Sequence, residues 1–281
     1  MSRRSALHWL LVAAVLLLVL ATGYLLSLYL VPTPQIAVIR IEGDIWGDYT
    51  GYLSRALEEA GSDPAVRAVV LDIASPGGEV TASEGLYFDV LGLREQVPVI
   101  ASVNELAASG AYYVAAAADQ IYAKPASEVG NVGVISLLPE SDLVDEQLLT
   151  TGPFKLSGGP QASYVRQMDM MKDTFLAAIF AQRSERLTVG PDVLSRGELY
   201  LGLQAQQMGL IDELGSQADA IDAAARLAKI RHYQVVDRSP EIPEDFGMFG
   251  FRWQAGSTAR TLAAVPEGLP PGFYFRYVSL P

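Results

Sequence analysis

Few residues in this 281-residue chain can serve as nucleophiles or bases. Cysteine is absent, so there is no disulfide framework and no thiolate metal site. The two histidines, His8 and His232, are far apart in the sequence. That excludes a histidine-rich metal centre, and a Ser-His-Asp triad would depend on His232 alone, which reads as a surface residue. No metal or other cofactor is expected. Nucleophilic catalysis is left to Ser, Thr, Lys or a carboxylate. Ser109 stands out in LAASGAYY (residues 106–113), a hydroxyl among small residues at the expected start of a helix. Neighbouring N–H groups would point outward there, although the same placement suits an ordinary N-cap serine. A second junction, Ser75-Pro76-Gly77-Gly78, reads as a sharp turn whose glycines let N–H groups face a ligand or an oxyanion. It reads equally well as a plain strand-to-helix turn.

Without histidine, a neutral lysine is the usual base for a serine. The four lysines are Lys124, Lys155, Lys172 and Lys229. Lys172 and Lys229 fall on expected helices as surface charges, and Lys124 follows a strand directly before Pro125. Lys155 sits between Phe154 and Leu156 in TGPFKLSGGP, an apolar setting in which burial would lower an ammonium pKa by several units. Lys155 is therefore the candidate base, with a surface lysine as the alternative.

These residues must be held by elements the pattern makes visible. Continuous apolar runs at Ala68–Ala74 (AVVLDIA) and Val97–Val103 (VPVIASV) suit strands buried on both faces. Further strands are expected at Ile36–Glu42, Gln120–Ala123 and Val132–Leu137. Helices are expected at Tyr52–Ala60, Thr81–Arg94, from about Ala108, at Gln161–Leu187 and at Gln217–Lys229. This alternation argues for an α/β domain with largely parallel strands over residues 36–240. Before it, Trp9–Val31 is almost wholly apolar, about 34 Å long as a helix. Arg3 and Arg4 precede it, which predicts a single-pass anchor with residues 1–8 cytoplasmic and the bulk outside. A cleaved signal peptide is the alternative, and Pro32 begins a linker over residues 32–35. Residues 241–281 are rich in Pro and Gly yet carry eight aromatics, including Phe273, Tyr274 and Phe275. A solvated tail would not hold so many, so the tail is expected to pack along a substrate groove or a subunit contact. The net charge of −12 and the scattered arginines leave no basic stripe, which excludes a nucleic-acid partner.

Taken together, LDIASPGGEV, VNELAASGAYYVAAAADQIYAKPAS, VGNVGVIS, FKLSGGP and GELYLGLQAQQMGLIDELGS resemble the signal peptide peptidase A family of membrane serine proteases. The resemblance covers roughly Ile36 to Lys229, with the motifs in the family's order and approximate spacing. It implies a ClpP/crotonase-like fold, Ser109 as nucleophile, and an oxyanion hole from the Gly78 and Gly110 N–H groups. It also implies peptide substrates such as remnant signal peptides, and a homo-oligomer with shared sites. Two positions depart from the family. Its base lysine lies three residues beyond a Ser-Gly pair equivalent to Ser157-Gly158, which is Gln161 here. A helper serine is replaced by Asn131, and the two amides could hydrogen-bond each other. Two rival functions follow: a catalytically silent membrane scaffold, and a crotonase-type acyl-CoA enzyme, against which the membrane anchor argues.

Overall fold

The computed structural model describes residues 3–30, 32–137, 151–152, 154–155, 157–242 and 272–276. The apolar runs form the strands of one twisted sheet. Strands β1 (Gln35–Glu42), β2 (Val66–Ser75), β4 (Val99–Ala108) and β5 (Gln120–Ala123) are its centre, with β3 (Gly77–Glu79) branching from the end of β2. The sheet order is β10-β1-β2-β4-β5-β9, where β9 is Glu213–Leu214 and β10 is Gln234–Asp237. Every pair along that path is parallel. Strand β4 is longer than its neighbour and splits its far edge between two partners. Ile100–Val103 pair with β5, whereas Leu106–Ala108 pair with β6 (Glu128–Gly130), which meets β8 (Leu199–Leu201) antiparallel. Ser127 stabilises the split, since its buried hydroxyl donates to the carbonyls of Val103 and Asn104.

Parallel strands need crossovers, and these bury both faces of the sheet. Helices α2 (Gly47–Ser62), α3 (Val80–Arg94), α4 (Gly110–Ala116) and α5 (Gln161–Arg183) cover one face. Their core includes Ile39, Leu53, Leu71, Leu86, Val103, Tyr112, Tyr113 and Phe175. Helix α8 (Gln217–Leu227) lays Ala220, Ala223 and Ala224 against Ile36, Val38, Val70 and Ile100 on the other face. Small alanines let α8 lie close to a sheet of β-branched residues. Short helices α6 (Pro191–Leu194) and α7 (Gly202–Gln207) frame β8.

Helix α1 (Arg3–Leu30) precedes the sheet, and most of its described large apolar side chains, among them Trp9, Leu11, Leu16 to Leu18 and Leu20, are more than half exposed. Among the described residues no helix is long and apolar enough to cross a membrane.

Three expectations change. The Ser75–Gly78 segment is a change of strand rather than a turn into a helix: β3 leaves β2 and joins a second, three-stranded sheet of order β3-β11-β7. Strand β7 is Ile135–Leu137, shorter than the expected Val132–Leu137, and β11 is Gly272–Arg276 in the tail. Strand β4 also runs on to Ala108, so α4 starts at Gly110 and not at Ala108. Among the tail aromatics, Phe246, Phe249, Phe251, Trp253 and Tyr277 lie outside the described residues.

Candidate active site

Ser109 is the single residue between β4 and α4, and its backbone is strained. Its φ of 53° and ψ of −121° lie in a region that L side chains seldom enter. The neighbours on both sides are fixed, which holds it there. Ala107 and Ala108 remain paired with Val129 and Gly130, and the Ser109 N–H donates to the Gly130 carbonyl at 2.7 Å. On the other side, the Tyr113 N–H donates to the Ser109 carbonyl at 2.9 Å. Helix α4 is buried at every position. Tyr113 stacks on Tyr87 at 4.6 Å and meets Phe175 edge-on at 4.8 Å, while the Tyr112 hydroxyl donates to the Leu210 carbonyl at 2.9 Å. Each such aromatic pair contributes about 0.5–1.5 kcal/mol beyond its buried area. Burial pushes both phenols up from their ordinary value, so they stay neutral and serve as anchors.

The Ser109 hydroxyl makes no cap bond to α4, which removes the ordinary N-cap explanation. The residue is 1% exposed, and its Oγ has no hydrogen-bond partner among the described residues. An unpartnered buried hydroxyl costs about 1–3 kcal/mol. The Gly110 N–H opens α4, where the first N–H groups have no intrahelical acceptor.

Gly78 lies in β3, set beside Ile45. The Ile45 N–H donates to Gly77 at 3.0 Å and the Glu79 N–H donates to Ile45 at 2.8 Å. Backbone groups alternate along a strand, so the Gly78 N–H and C=O face the opposite edge, toward α4 and β11. A side chain at Gly78 would sit 2.1 Å from the Ile45 carbonyl oxygen, so only glycine permits this approach. Ser75, which sequence reasoning did not assign, sets up the path: its buried Oγ accepts the Gly77 N–H at 3.1 Å, and Gly77 takes a φ of 90°. Such Ser-to-backbone bonds do carry a sequence signal, the spacing Ser-x-Gly.

The remaining candidates lie elsewhere. Lys155 is exposed, so the apolar enclosure expected for it is not there. Flanking Phe154 is itself 48% exposed, which shows why apolar neighbours in sequence did not bury it. Lys124 and Lys229 are also exposed, and Lys172 pairs with Asp169 at 2.9 Å. His232 is exposed as well. Gln161 is exposed at the start of α5, and Asn131 does not pair with it. Asn131 instead donates from Nδ2 to the Gly197 carbonyl at 2.7 Å, and its N–H donates to Glu198 at 2.8 Å. Its φ of 55° suits asparagine better than most side chains, so Asn131 fixes the turn after β6. A surface cleft of about 410 Å³ bordered by Arg94, Asp119 and Arg186 lies at the amino ends of β4 and β5. Sites in open α/β sheets form at the carboxyl ends, where Ser109 is.

Residues 92–231 match peptidase family S49, and residues 35–141 match the N-terminal domain of NfeD1b. A Methanocaldococcus jannaschii protein named as a protease is 31% identical over 218 residues, covering 73% of this chain and 70% of that one. The chain belongs to peptidase family S49. As an S49 member it is a serine-type peptidase. Protease 4 of Haemophilus influenzae is 31% identical over 227 residues, 72% of this chain but 36% of that protein. The chain thus spans about a third of that relative's length. The fold is that of the 1510-N membrane-bound stomatin-specific protease, solved as a lysine-to-alanine variant with a substrate peptide. The TM-score is 0.51 at 16% identity, covering 77% of this S49 chain and 95% of that one.

Proposed function

We propose that this S49 peptidase is a membrane-anchored endopeptidase of the signal peptide peptidase A type, with a ClpP/crotonase-like catalytic domain. In this reading Ser109 is the nucleophile. A base takes the Oγ proton, and Oγ bonds to a peptide carbonyl carbon. The Gly78 and Gly110 N–H groups hold the oxyanion that forms. The C–N bond then breaks, the amine leaves with the proton, and water hydrolyses the acyl-enzyme ester. The observation that carries it is Ser109 itself, strained between a strand and a helix with a buried hydroxyl that no structural role uses. Strain of this kind persists only where surrounding structure imposes it, and it gathers at active sites.

The base has to be brought to Ser109, because its Oγ has no partner within the described chain. Lys155 is the candidate, on the connection between β7 and α5, either from the same chain or from a neighbouring copy of a homo-oligomer. Substrates are apolar peptides such as remnant signal peptides. Helix α1 supports the anchor: Leu16, Leu17, Leu18 and Leu20 point to different sides of the helix and are all exposed, as a lipid-facing helix requires. With Arg3 and Arg4 cytoplasmic, the catalytic domain lies outside the membrane.

The test is hydrolysis of fluorogenic apolar peptides by the full chain in detergent micelles, beside folded Ser109→Ala and Lys155→Ala variants. Turnover by the wild type alone supports the scheme. Turnover that survives in Lys155→Ala but not in Ser109→Ala moves the base elsewhere. A folded but inert wild type that no serine-reactive phosphonate labels refutes the catalytic reading and leaves a membrane scaffold, which Gln161 and Asn131 favour.

A further inference from the structure

The parallel sheet fixes where Ser109 stands relative to the amino-terminal helix. Four residues, 31–34, separate α1 from β1, and two of them, Pro32 and Pro34, stiffen the connection. Its far end is pinned to the sheet. The Gln35 N–H donates to the Ala65 carbonyl at 2.7 Å, and the Gln234 N–H donates to the Pro34 carbonyl at 2.9 Å. Arg238 also donates to Gln35 Oε1 at 3.1 Å. The chain therefore enters the domain at the amino ends of β1, β2 and β10, which run parallel. Ser109 lies beyond the opposite ends. Glu42, the last residue of β1, pairs with Ala74, and the next residue, Ser75, pairs with Ala107. From Gln35 to that level is eight residue steps, seven along β1 and one more on β2, or about 26 Å at about 3.3 Å per step. Ser109, two residues past Ala107, is then about 30 Å from the point of entry.

We infer that the sheet acts as a ruler: a substrate still held in the membrane is cut only about nine to twelve residues beyond its last embedded residue. The inference rests on the reading of α1 as an anchor and of Ser109 as a peptidase nucleophile. The lower bound is the height of the sheet alone, about 30 Å, and the upper bound adds the four-residue connection at about 3 Å per residue. An extended chain covers at most about 3.3–3.6 Å per residue, which converts these heights into residue counts. A connection of about 12 Å is too short to let a sheet about 30 Å tall turn its carboxyl ends onto the bilayer. Charge favours the same pose. Lys229 and Arg231, on the loop that leads into Gln234 beside the connection, are exposed and form no ion pair among the described residues. Glu58 and Glu59 in the last turn of α2 stand at the same end, so that end carries both signs. The rim around Ser109 is richer in acid: Glu42, Asp48, Glu105 and Glu128 are exposed there and unpaired among the described residues, against Lys124 and Arg196. An anionic lipid surface repels that rim and attracts Lys229 and Arg231. Apolar segments inside the bilayer are thus out of reach. The substrates are peptides that have left the membrane and the extramembrane stretches of tethered chains.

Two measurements on the full chain in vesicles of phosphatidylcholine and phosphatidylglycerol test this. The first needs no activity. Because the chain has no cysteine, Glu105→Cys and His232→Cys each accept a single donor dye, and a labelled lipid serves as the acceptor. The dye on residue 105 should lie about 30 Å farther from the lipid plane than the dye on residue 232. The second measures cleavage of a single-span substrate in the same vesicles, with one apolar target sequence placed after a Gly-Ser spacer of about 4, 8, 12 or 20 residues. The shortest spacer should give almost no product, with a steep rise between about 8 and 12 residues, because a tether that cannot span two sites gives an effective concentration near zero. The same target sequence as a free peptide should be cut at an unchanged rate throughout. Inserting about 15 Gly-Ser residues between Pro32 and Thr33, an r.m.s. reach of roughly 20 Å, should let the domain tip and restore cutting at the shortest spacer. Equal transfer from the two dyes would overturn the inference, as would equal cutting at all spacers by a protein that turns over the free peptide. A chain that fails to float with the vesicles overturns it together with the anchor. Unequal transfer without turnover of any peptide upholds the pose and sinks the peptidase reading.

Discussion

Replacing Ser109 separates the energetic cost of this residue from its chemistry. Its hydroxyl is buried without a partner, and its backbone sits at φ 53°, ψ −121°. Ser109→Ala removes the unsatisfied oxygen and keeps the Cβ, so it should recover about 1–3 kcal/mol. Ser109→Gly also relieves the backbone, worth about 1–3 kcal/mol, less about 0.5–1 kcal/mol for the freer unfolded chain. Alanine should therefore be more stable than wild type, and glycine at least as stable as alanine. For a domain of this size each kcal/mol raises Tm by about 2–4 °C, so the alanine variant should melt roughly 2–12 °C higher. Both variants should be inert toward peptide. The assay is thermal melting of the full chain in detergent micelles, with urea titration as a check on ranking. If Ser109→Ala melts at or below the wild-type temperature, the hydroxyl is hydrogen-bonded in the folded protein and the reasoning fails. A partner would then exist, and the same melt on Lys155→Ala would show whether it is that lysine.

Two further substitutions probe the support of the site. In Gly78→Ala the new methyl would lie 2.1 Å from the Ile45 oxygen and 2.6 Å from its carbonyl carbon and nitrogen, all backbone atoms that cannot swing aside. Strand β3 must move, which should cost about 1–3 kcal/mol of stability and about 10²–10³ in kcat; a kcat within a few-fold of wild type would remove Gly78 from the oxyanion hole. Asp72, buried beneath Arg40 and hydrogen-bonded by Asn104, has its carboxyl raised above 3.8, first by burial and then by the charge of Glu42. The folded state then holds the proton more tightly than the unfolded state. Stability is full below the unfolded value and falls as pH rises through the folded one. Asp72→Asn keeps an acceptor for Asn104, so it should melt above wild type at pH 7 and with it near pH 3; equal separation at both pH values would refute the assignment.

Much of this arrangement was legible in the sequence, and what was not has a common cause. The strands β1, β2 and β5 and the helices α3, α5 and α8 carry their own signal in apolar runs and helical spacing, and their limits fall within a few residues of expectation, whereas β4 runs five residues further. Ser109 could be singled out because small residues around a hydroxyl are themselves local. The Ser75–Gly78 segment misled because Gly-Gly is a turn signal. Its true partners, Ile45 and Phe275, are 33 and 197 residues away from Gly78. Lys155 misled in the same way: Phe154 and Leu156 promised burial, yet burial is decided by what packs over a segment, and nothing local encodes that. The strands β6, β8 and β9 are two or three residues long, too short for any periodicity to show.

The aromatic tail joins the two kinds of signal. Its composition predicted packing, and β11 provides it through Tyr274 against Trp46 and Phe273 against Tyr164. The partner strand could not be read, because a backbone edge has no sequence signature: β3 receives β11 by virtue of its unpaired amides.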